Sequence, residues 1–188
     1  VSCMAENALK QRDPVIGLAF DGTGYGSDGA IWGGEVLLAN WAGFQRQYHL
    51  EYMPLPGGEA AVRKPARMAL SLILHASIDP ESFPFPFHKS LDSEERAAVS
   101  NQVRTGFNSP KTSSLGRLFD GVAALIGLHQ QISYEAQNAI AFETIADPEE
   151  LSSYDFAIAD GQILVSPVIR AIVQDLKQKL APPVISAR

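Results

Sequence analysis

Apolar positions change their period twice along this chain. Near the start, Val15-Ile16-Gly17-Leu18-Ala19-Phe20 is an unbroken apolar run that ends on Asp21 and then breaks into glycines. Its length and its flanking turn residues predict a buried strand over 15–21. Ser27-Asp28-Gly29 is a turn signal, and residues 34–40 and 45–53 predict two further strands. The alternation Phe44-Gln45-Arg46-Gln47-Tyr48-His49-Leu50 gives the last of them one wet face. Three strands joined by tight turns predict an antiparallel meander.

Helical spacing takes over after Pro54-Leu55-Pro56-Gly57-Gly58-Glu59, where Ala66, Met68, Ala69, Leu72 and Ile73 predict a helix over about 59–77. Asp79 to Lys89 is rich in proline and phenylalanine and reads as irregular. Residues 92–105 predict an amphipathic helix capped by Asp92 or Ser93, with acidic residues in its first turn. After a loop over 108–114, helices follow at Leu115–Leu128 and Tyr134–Ala146. Residues 156–165 predict a β-hairpin about Asp160-Gly161, and Ser166-Pro167 opens a last helix to about Leu180. Upstream, residues 2–11 read as the last turns of a helix closed by Asp13-Pro14. Strands, helices, a hairpin and a helix in that order predict an α/β or α+β segment.

Composition narrows the partners more than the fold. The 188 residues suffice for one sizeable core or two small lobes. A formal charge of −6 argues against a nucleic-acid partner, which needs a basic face. No apolar run approaches the roughly 20 residues of a membrane span, so no membrane partner is expected. The single cysteine, Cys3, excludes an internal disulfide and a thiolate zinc site, fits a reducing cytoplasm and reads as a small buried side chain. Val1-Ser2-Cys3-Met4 is neither a leader nor an initiator start, and Pro182 to Arg188 reads as a connection entering another element. The expectation is a segment of a longer protein with its flanks missing at both ends.

Four stretches carry candidate chemistry. In Asp21-Gly22-Thr23-Gly24-Tyr25-Gly26, a strand-end carboxylate precedes glycines whose backbone N–H groups can approach an anion. Asp21 then binds a divalent metal while Thr23 and backbone amides contact phosphate, or else Asp21 only satisfies its own turn. Gly33-Gly34-Glu35 either faces the same cleft or forms a bulge with an ordinary edge residue. In Thr112-Ser113-Ser114-Leu115-Gly116-Arg117-Leu118-Phe119-Asp120, Gly116 and Asp120 share a helical face that admits a sugar against the glycine, or cap a core helix. Pro56-Gly57-Gly58-Glu59 is an anion site at a helix start or only a turn. His49, His75, His88 and His129 show no i, i+4 pairing and read as packing or surface residues. No serine sits in a nucleophile elbow.

Taken together these residues resemble a known family. Phe20 to Gly26, Ile31-Trp32-Gly33-Gly34-Glu35, Pro54 to Pro65, Ser113 to Leu125 and Tyr134-Glu135-Ala136-Gln137 look like the carboxy-terminal catalytic domain of the HypF carbamoyltransferases of nickel–iron hydrogenase maturation. The resemblance spans nearly all of residues 1–188. It implies a partial TsaD-like domain of the actin-like ATPase, or RNase H-like, superfamily: α/β, with a mixed sheet and packed helices. It also implies a reaction. Carbamoyl-adenylate, made from carbamoyl phosphate and ATP by another domain of the parent protein, gives its carbamoyl group to the carboxy-terminal cysteine of HypE.

By the same resemblance Asp21 matches a metal ligand that acts with two histidines, the ion being Fe, Zn or Mg. Thr23 and Gly24 line the phosphate, and Gly116 and Asp120 lie near the nucleoside, with Asp120 on the ribose. Gly22, Gly33, Gly34, Glu35, Arg117 and Glu135 support the same ligand, and no catalytic residue is assigned. The family's His-x-x-x-His pair would precede Val1, and its final aspartate and nucleotide loop would follow Arg188. Glu59 stands where many members carry Asp, and Ala136 where glycine is common. A partial site with poor metal affinity and little ATP binding is the expectation for residues 1–188 alone. The competing readings are an O-carbamoyltransferase acting on a small-molecule hydroxyl and a docking domain without catalysis.

Overall fold

The computed structural model describes residues 2–10 and 13–188. Strand β1 (Val15–Tyr25) does not stop at Asp21 but continues through the glycines, because β2 (Ile31–Asn40) supplies a ladder on both sides of them. Phe20 pairs with Gly34 and Gly24 with Trp32, so β1 carries extra residues and Asp21 to Thr23 form a bulge. A turn at 26–30 and strand β3 (Gly43–Leu50) complete the expected antiparallel meander. The sheet has seven strands in the order β4-β5-β2-β3-β7-β6, with β1 on the other side of β2. Strands β4 (Met53–Pro54) and β5 (Lys111–Thr112) were not anticipated. Two residues give no periodic signal, and their partners lie far away in sequence: Ile31 opposite Thr112, and Met53 opposite Thr112. Both parallel and antiparallel pairs occur, so the sheet is mixed.

The expected helix over 59–77 is two helices, α2 (Glu59–Arg63) and α3 (Pro65–His75), with the break at Lys64. Lys64 has φ −126° and ψ 80°, outside the α region, as the residue before a proline prefers, and Pro65 opens α3. The stretch expected to be irregular holds α4 (Phe87–Ser90) and seats Phe85 and Phe87 fully in the core. Helix α5 (Ser93–Thr105) starts at Asp92, whose carboxylate accepts the Glu95 N–H at 2.8 Å, and ends on left-handed Gly106. Helix α6 (Leu115–Leu125) is capped by Ser114, and α7 (Gln137–Ile145) begins three residues later than its pattern suggested. Ala136, before it, sits in the left-handed region at φ 61°.

The hairpin is β6 (Ala157–Ala159) and β7 (Gln162–Leu164), with Asp160 and Gly161 both at positive φ as a tight primed turn requires. Helix α8 (Ser166–Lys177) follows with Pro167 in its first turn. The last residues expected as a connection form a short helix, α9 (Pro182–Ala187). Near the start, α1 (Ser2–Glu6) is shorter than the helix expected over 2–11, whose end at residue 11 falls outside the described residues. Cys3 is exposed rather than buried, because α1 turns only Met4 inward.

The core lies on the helical side. Helix α3 is its axis: Met68, Ala69, Leu70, Leu72 and Ile73 are all buried against α6, α5, α8 and α4. A methyl at Gly121 would lie 2.4 Å from Leu72 Cδ1, so glycine sets the closeness of the α3–α6 crossing. The buried strand expected over 15–21 is instead open on one face. Ile16 is 77% exposed, Leu18 62% and Phe20 56%, since no described element packs over that side of the meander.

Candidate functional site

The β1 bulge, the start of α6 and the loop before α7 meet at one place. Ser114, fully buried, caps α6 by accepting the Arg117 N–H at 3.2 Å. Its hydroxyl also donates to the carbonyls of Asp21 (2.7 Å) and Gly22 (2.8 Å). The bulge is thereby fastened to the helix N-terminus. A methyl at Gly116 would fall 2.9 Å from Gly22 Cα, so β1 and α6 touch backbone to backbone there.

Beside this contact opens a cavity of about 530 Å³ lined by Thr23, Val62, Arg63, Arg117, Ile132, Ser133, Tyr134, Glu135 and Ala136. Its far wall is a loop anchored on α2 by the Ile132 N–H to the Arg63 carbonyl, 3.0 Å. Asn138, fully buried, donates to the His129 carbonyl at 2.9 Å and holds the same loop from below. Thr23, Arg117 and Glu135 thus come together from residues far apart in sequence. A methyl at Gly22 would lie 3.4 Å from Arg117 Nη2 and 4.0 Å from Glu135 Oε1, which places Gly22 at the cavity edge. Asp21 is exposed one residue away, with its Oδ1 accepting the Gly22 N–H at 2.6 Å.

Asp120 lies behind Arg117, paired Oδ2 to Nη2 at 2.9 Å, with both side chains buried. The contact is not aligned as a hydrogen bond, and Asp120 Oδ2 and Arg117 Nε are left without a hydrogen-bond partner. Burial pushes the Asp120 carboxyl up to about 6, against the pull of Arg117.

The remaining candidate residues stand elsewhere. Gly33 and Gly34 are buried, and methyls there would lie 2.3 Å from the Asp21 carbonyl oxygen and 2.3 Å from that of Ser113. Gly24 is close to Trp32 O in the same way, at 2.9 Å. These glycines let three backbones meet. Glu35 is buried among them: it accepts from Gly34 N (2.8 Å), Ser113 Oγ (2.5 Å) and Arg46 Nη2 (2.8 Å).

Arg46, to which the sequence pattern assigns no role, is the centre of that cluster. It stacks 3.9 Å over the Trp32 ring and reaches Asp28 (3.2 Å) and Tyr52 (2.7 Å). Desolvation opposes ionisation of Asp28. Hydrogen bonds from Tyr52, Ala30 and Trp32, together with the Arg46 charge, outweigh it and hold the carboxyl at about 2. Nothing local in the sequence signals this assembly, since its members lie at 28, 32, 35, 46, 52 and 113. Arg63 was also missed, although its place one turn after Glu59 on a helix leading to the cavity could have suggested it.

At Pro56-Gly57-Gly58-Glu59 the glycines take φ 84° and 56°, a turn only glycine adopts freely, and Arg67 Nε donates to the Pro56 carbonyl. The four histidines are dispersed: His49 on Tyr52, His75 beside Glu51, His88 on Phe87 and His129 beside Asn138. Among the described residues no three His, Cys, Asp or Glu side chains cluster as a metal site. Asp21 offers one carboxylate, short of the three protein ligands of a catalytic zinc ion. These residues therefore do not complete such a site by themselves. No helix among the described residues is long and apolar enough to cross a membrane.

Residues 17–188 match the family model described as carbamoyltransferase, Kae1-like domain, second subdomain. The chain is 37% identical over 197 aligned positions to the carbamoyltransferase HypF of Synechocystis sp., covering 95% of this chain and 26% of that protein. It is 38% identical to HypF of Rhizobium leguminosarum bv. viciae, over 83% of this chain and 20% of that one. A crystal structure of full-length HypF in the phosphate- and nucleotide-bound form superposes with a TM-score of 0.85 at 39% identity, covering 99% of this chain and 24% of that one. The chain spans about a quarter of the length of these relatives. Its mixed sheet and packed helices are those of the Kae1-like, TsaD-like fold, and the chain belongs to the HypF carbamoyltransferase family.

Proposed function

We propose that this chain forms one wall of the site in which a HypF-type carbamoyltransferase passes a carbamoyl group from carbamoyl-adenylate to the carboxy-terminal cysteine of HypE, in the synthesis of the cyanide ligand of a nickel–iron hydrogenase. In that step the cysteine thiolate attacks the carbamoyl carbon. The bond from that carbon to the phosphate oxygen breaks, and AMP leaves with the electron pair. ATP and carbamoyl phosphate are the precursors, and the remaining domains of the parent protein and HypE are the partners, in the cytoplasm.

The observation that carries the reading is the cavity bounded by Thr23, Arg117 and Glu135, with the bulge at its edge. Its size suits a nucleotide, and the similar full-length HypF structure was obtained with phosphate and nucleotide. Arg117 supplies a guanidinium for an anionic group, Thr23 a hydroxyl, and Glu135 an acceptor for ligand hydroxyls. Asp120 reaches the ligand through Arg117, whose charge it partly balances. Gly116, Gly24, Gly33, Gly34 and Glu35 act by holding the walls at this spacing. Asp21 contributes one carboxylate to a divalent ion whose other donors lie outside residues 1–188.

The test is carbamoylation of the HypE cysteine by the full-length parent protein, followed by mass spectrometry with carbamoyl phosphate and ATP supplied. Asp21→Asn is expected to abolish the carbamoyl adduct while leaving the complex with HypE intact. Full transfer by Asp21→Asn would instead favour a docking role for this domain.

A further inference from the structure

Two consecutive carbonyls of β1, those of Asp21 and Gly22, converge on a single hydroxyl, Ser114 Oγ, at 2.7 and 2.8 Å. In a regular strand successive peptide groups point to opposite edges, so this convergence is the signature of the bulge. A trans peptide holds its N–H antiparallel to its C=O. With both carbonyls turned to Ser114, the N–H groups of Gly22 and Thr23 face away from it, and that of Gly22 donates to Asp21 Oδ1 at 2.6 Å. Ser114 has one hydroxyl hydrogen, shared between the two carbonyls, and its oxygen accepts the Arg117 N–H in turn.

The serine is itself immobilised. A methyl at Gly33 would lie 3.0 Å from Ser114 Cα, so β2 presses on it from behind. Its neighbour Ser113 donates to Glu35 Oε1 at 2.5 Å, and Glu35 is fixed by Arg46 and by the Gly34 N–H. The buried Arg46–Glu35 pair therefore anchors one serine, and the adjacent serine anchors the bulge.

We propose, resting on the carbamoyl-transfer reading above, that Ser114 is the positioning residue of the site. Its hydroxyl fixes the orientation of the Asp21–Gly22 and Gly22–Thr23 peptides at the cavity edge and sets their distance from Arg117. It touches no ligand itself. Glu35 and Arg46 act one step further back, by holding Ser113.

The experiment uses the full-length parent protein with Ser114→Ala, Ser114→Cys and a control, Val99→Ala, in the buried face of α5, a helix that does not line the cavity. Cysteine fills the serine's place with a weak donor, and it is the variant to be read if the alanine form does not fold. Two quantities are followed: AMP formation from ATP in the presence of carbamoyl phosphate and HypE, and amide hydrogen exchange over residues 20–24. Both Ser114 variants are expected to lose at least about tenfold in kcat, with a smaller change in KM for ATP. They are also expected to exchange the 20–24 amides at least about tenfold faster. Val99→Ala, with a comparable fall in Tm, should change neither. Wild-type kcat in the Ser114 variants, or unchanged exchange over 20–24, would overturn the positioning role. Wild-type protein that forms no AMP would refute the transfer reading, and the exchange data would still decide whether Ser114 holds the bulge.

Discussion

The helical half and the β meander of this chain are held together by different physics. Around α3 the stabilising contacts are apolar and dry: Leu72, Ile73, Leu125 and Phe87 have no exposed surface. In the meander the apolar residues Ile16, Leu18 and Phe20 lie open, while the buried contacts are polar and centre on Arg46, Glu35 and Ser113. A dry core is non-directional and tolerates small shifts. A largely buried ion pair, here with only Arg46 Nε lacking a hydrogen-bond partner, contributes less net stability but fixes geometry and is costly to break in half. The cavity sits on the seam, with Thr23 from the meander and Arg117 from the helical half. The rigidity demanded of a site comes from the polar side.

The largest effect is expected from breaking that network. Glu35→Ala leaves the buried Gly34 N–H and Ser113 hydroxyl without their acceptor and takes one of two carboxylates from Arg46, and should lower unfolding stability by about 3–5 kcal/mol, read by urea denaturation. Next, Leu72→Ala should cost about 2–5 kcal/mol through the cavity it leaves against Gly121. Leu18→Ala, in residues 1–188 alone, should stay within about 0.5 kcal/mol, because that side chain gains little from folding. Equal losses at Leu72 and Leu18 would erase the contrast.

A smaller effect is pH-dependent. Asp120 in the folded chain titrates near 6, above its ordinary 3.8. The folded form therefore binds more protons than the unfolded one between those values, and stability falls as pH rises through that window. Thermal melts should show a loss on the order of 1–3 kcal/mol from about pH 4 to 7. Asp120→Asn should remove that slope. One change is a gain. Ala136 occupies the left-handed region, which costs a side chain about 1–2 kcal/mol, so Ala136→Gly should raise stability by about 1 kcal/mol.

Local rules made much of the fold legible, and the misses have local causes too. The meander, the Asp160-Gly161 hairpin, the Asp92 cap and α8 follow from period and turn chemistry. The break at Lys64-Pro65 was equally readable but was overridden by the continuous apolar spacing through it. The glycines after Asp21 read as a loop because glycine disfavours strands, yet the β2 partner carries them into the sheet. Openness of the meander face was not readable at all, since an apolar run says that burial is favourable and not what provides it. Within the site, Thr23, Arg117 and Glu135 were named from motifs. Arg46 and Ser114 were not singled out, because their importance lies in partners far along the chain.

In the proposed reaction the cavity between the bulge and the loop before α7 receives carbamoyl-adenylate. Titration calorimetry of the full-length parent protein with a non-hydrolysable carbamoyl-adenylate analogue, comparing wild type with Thr23→Trp, separates this cavity from the site on the domain that makes the adenylate. Thr23 is exposed, so the larger ring enters the cavity without disturbing the core. Loss of at least about tenfold in affinity, about 1.4 kcal/mol, is the expected result. Wild-type affinity in Thr23→Trp would place the ligand elsewhere and contradict the account.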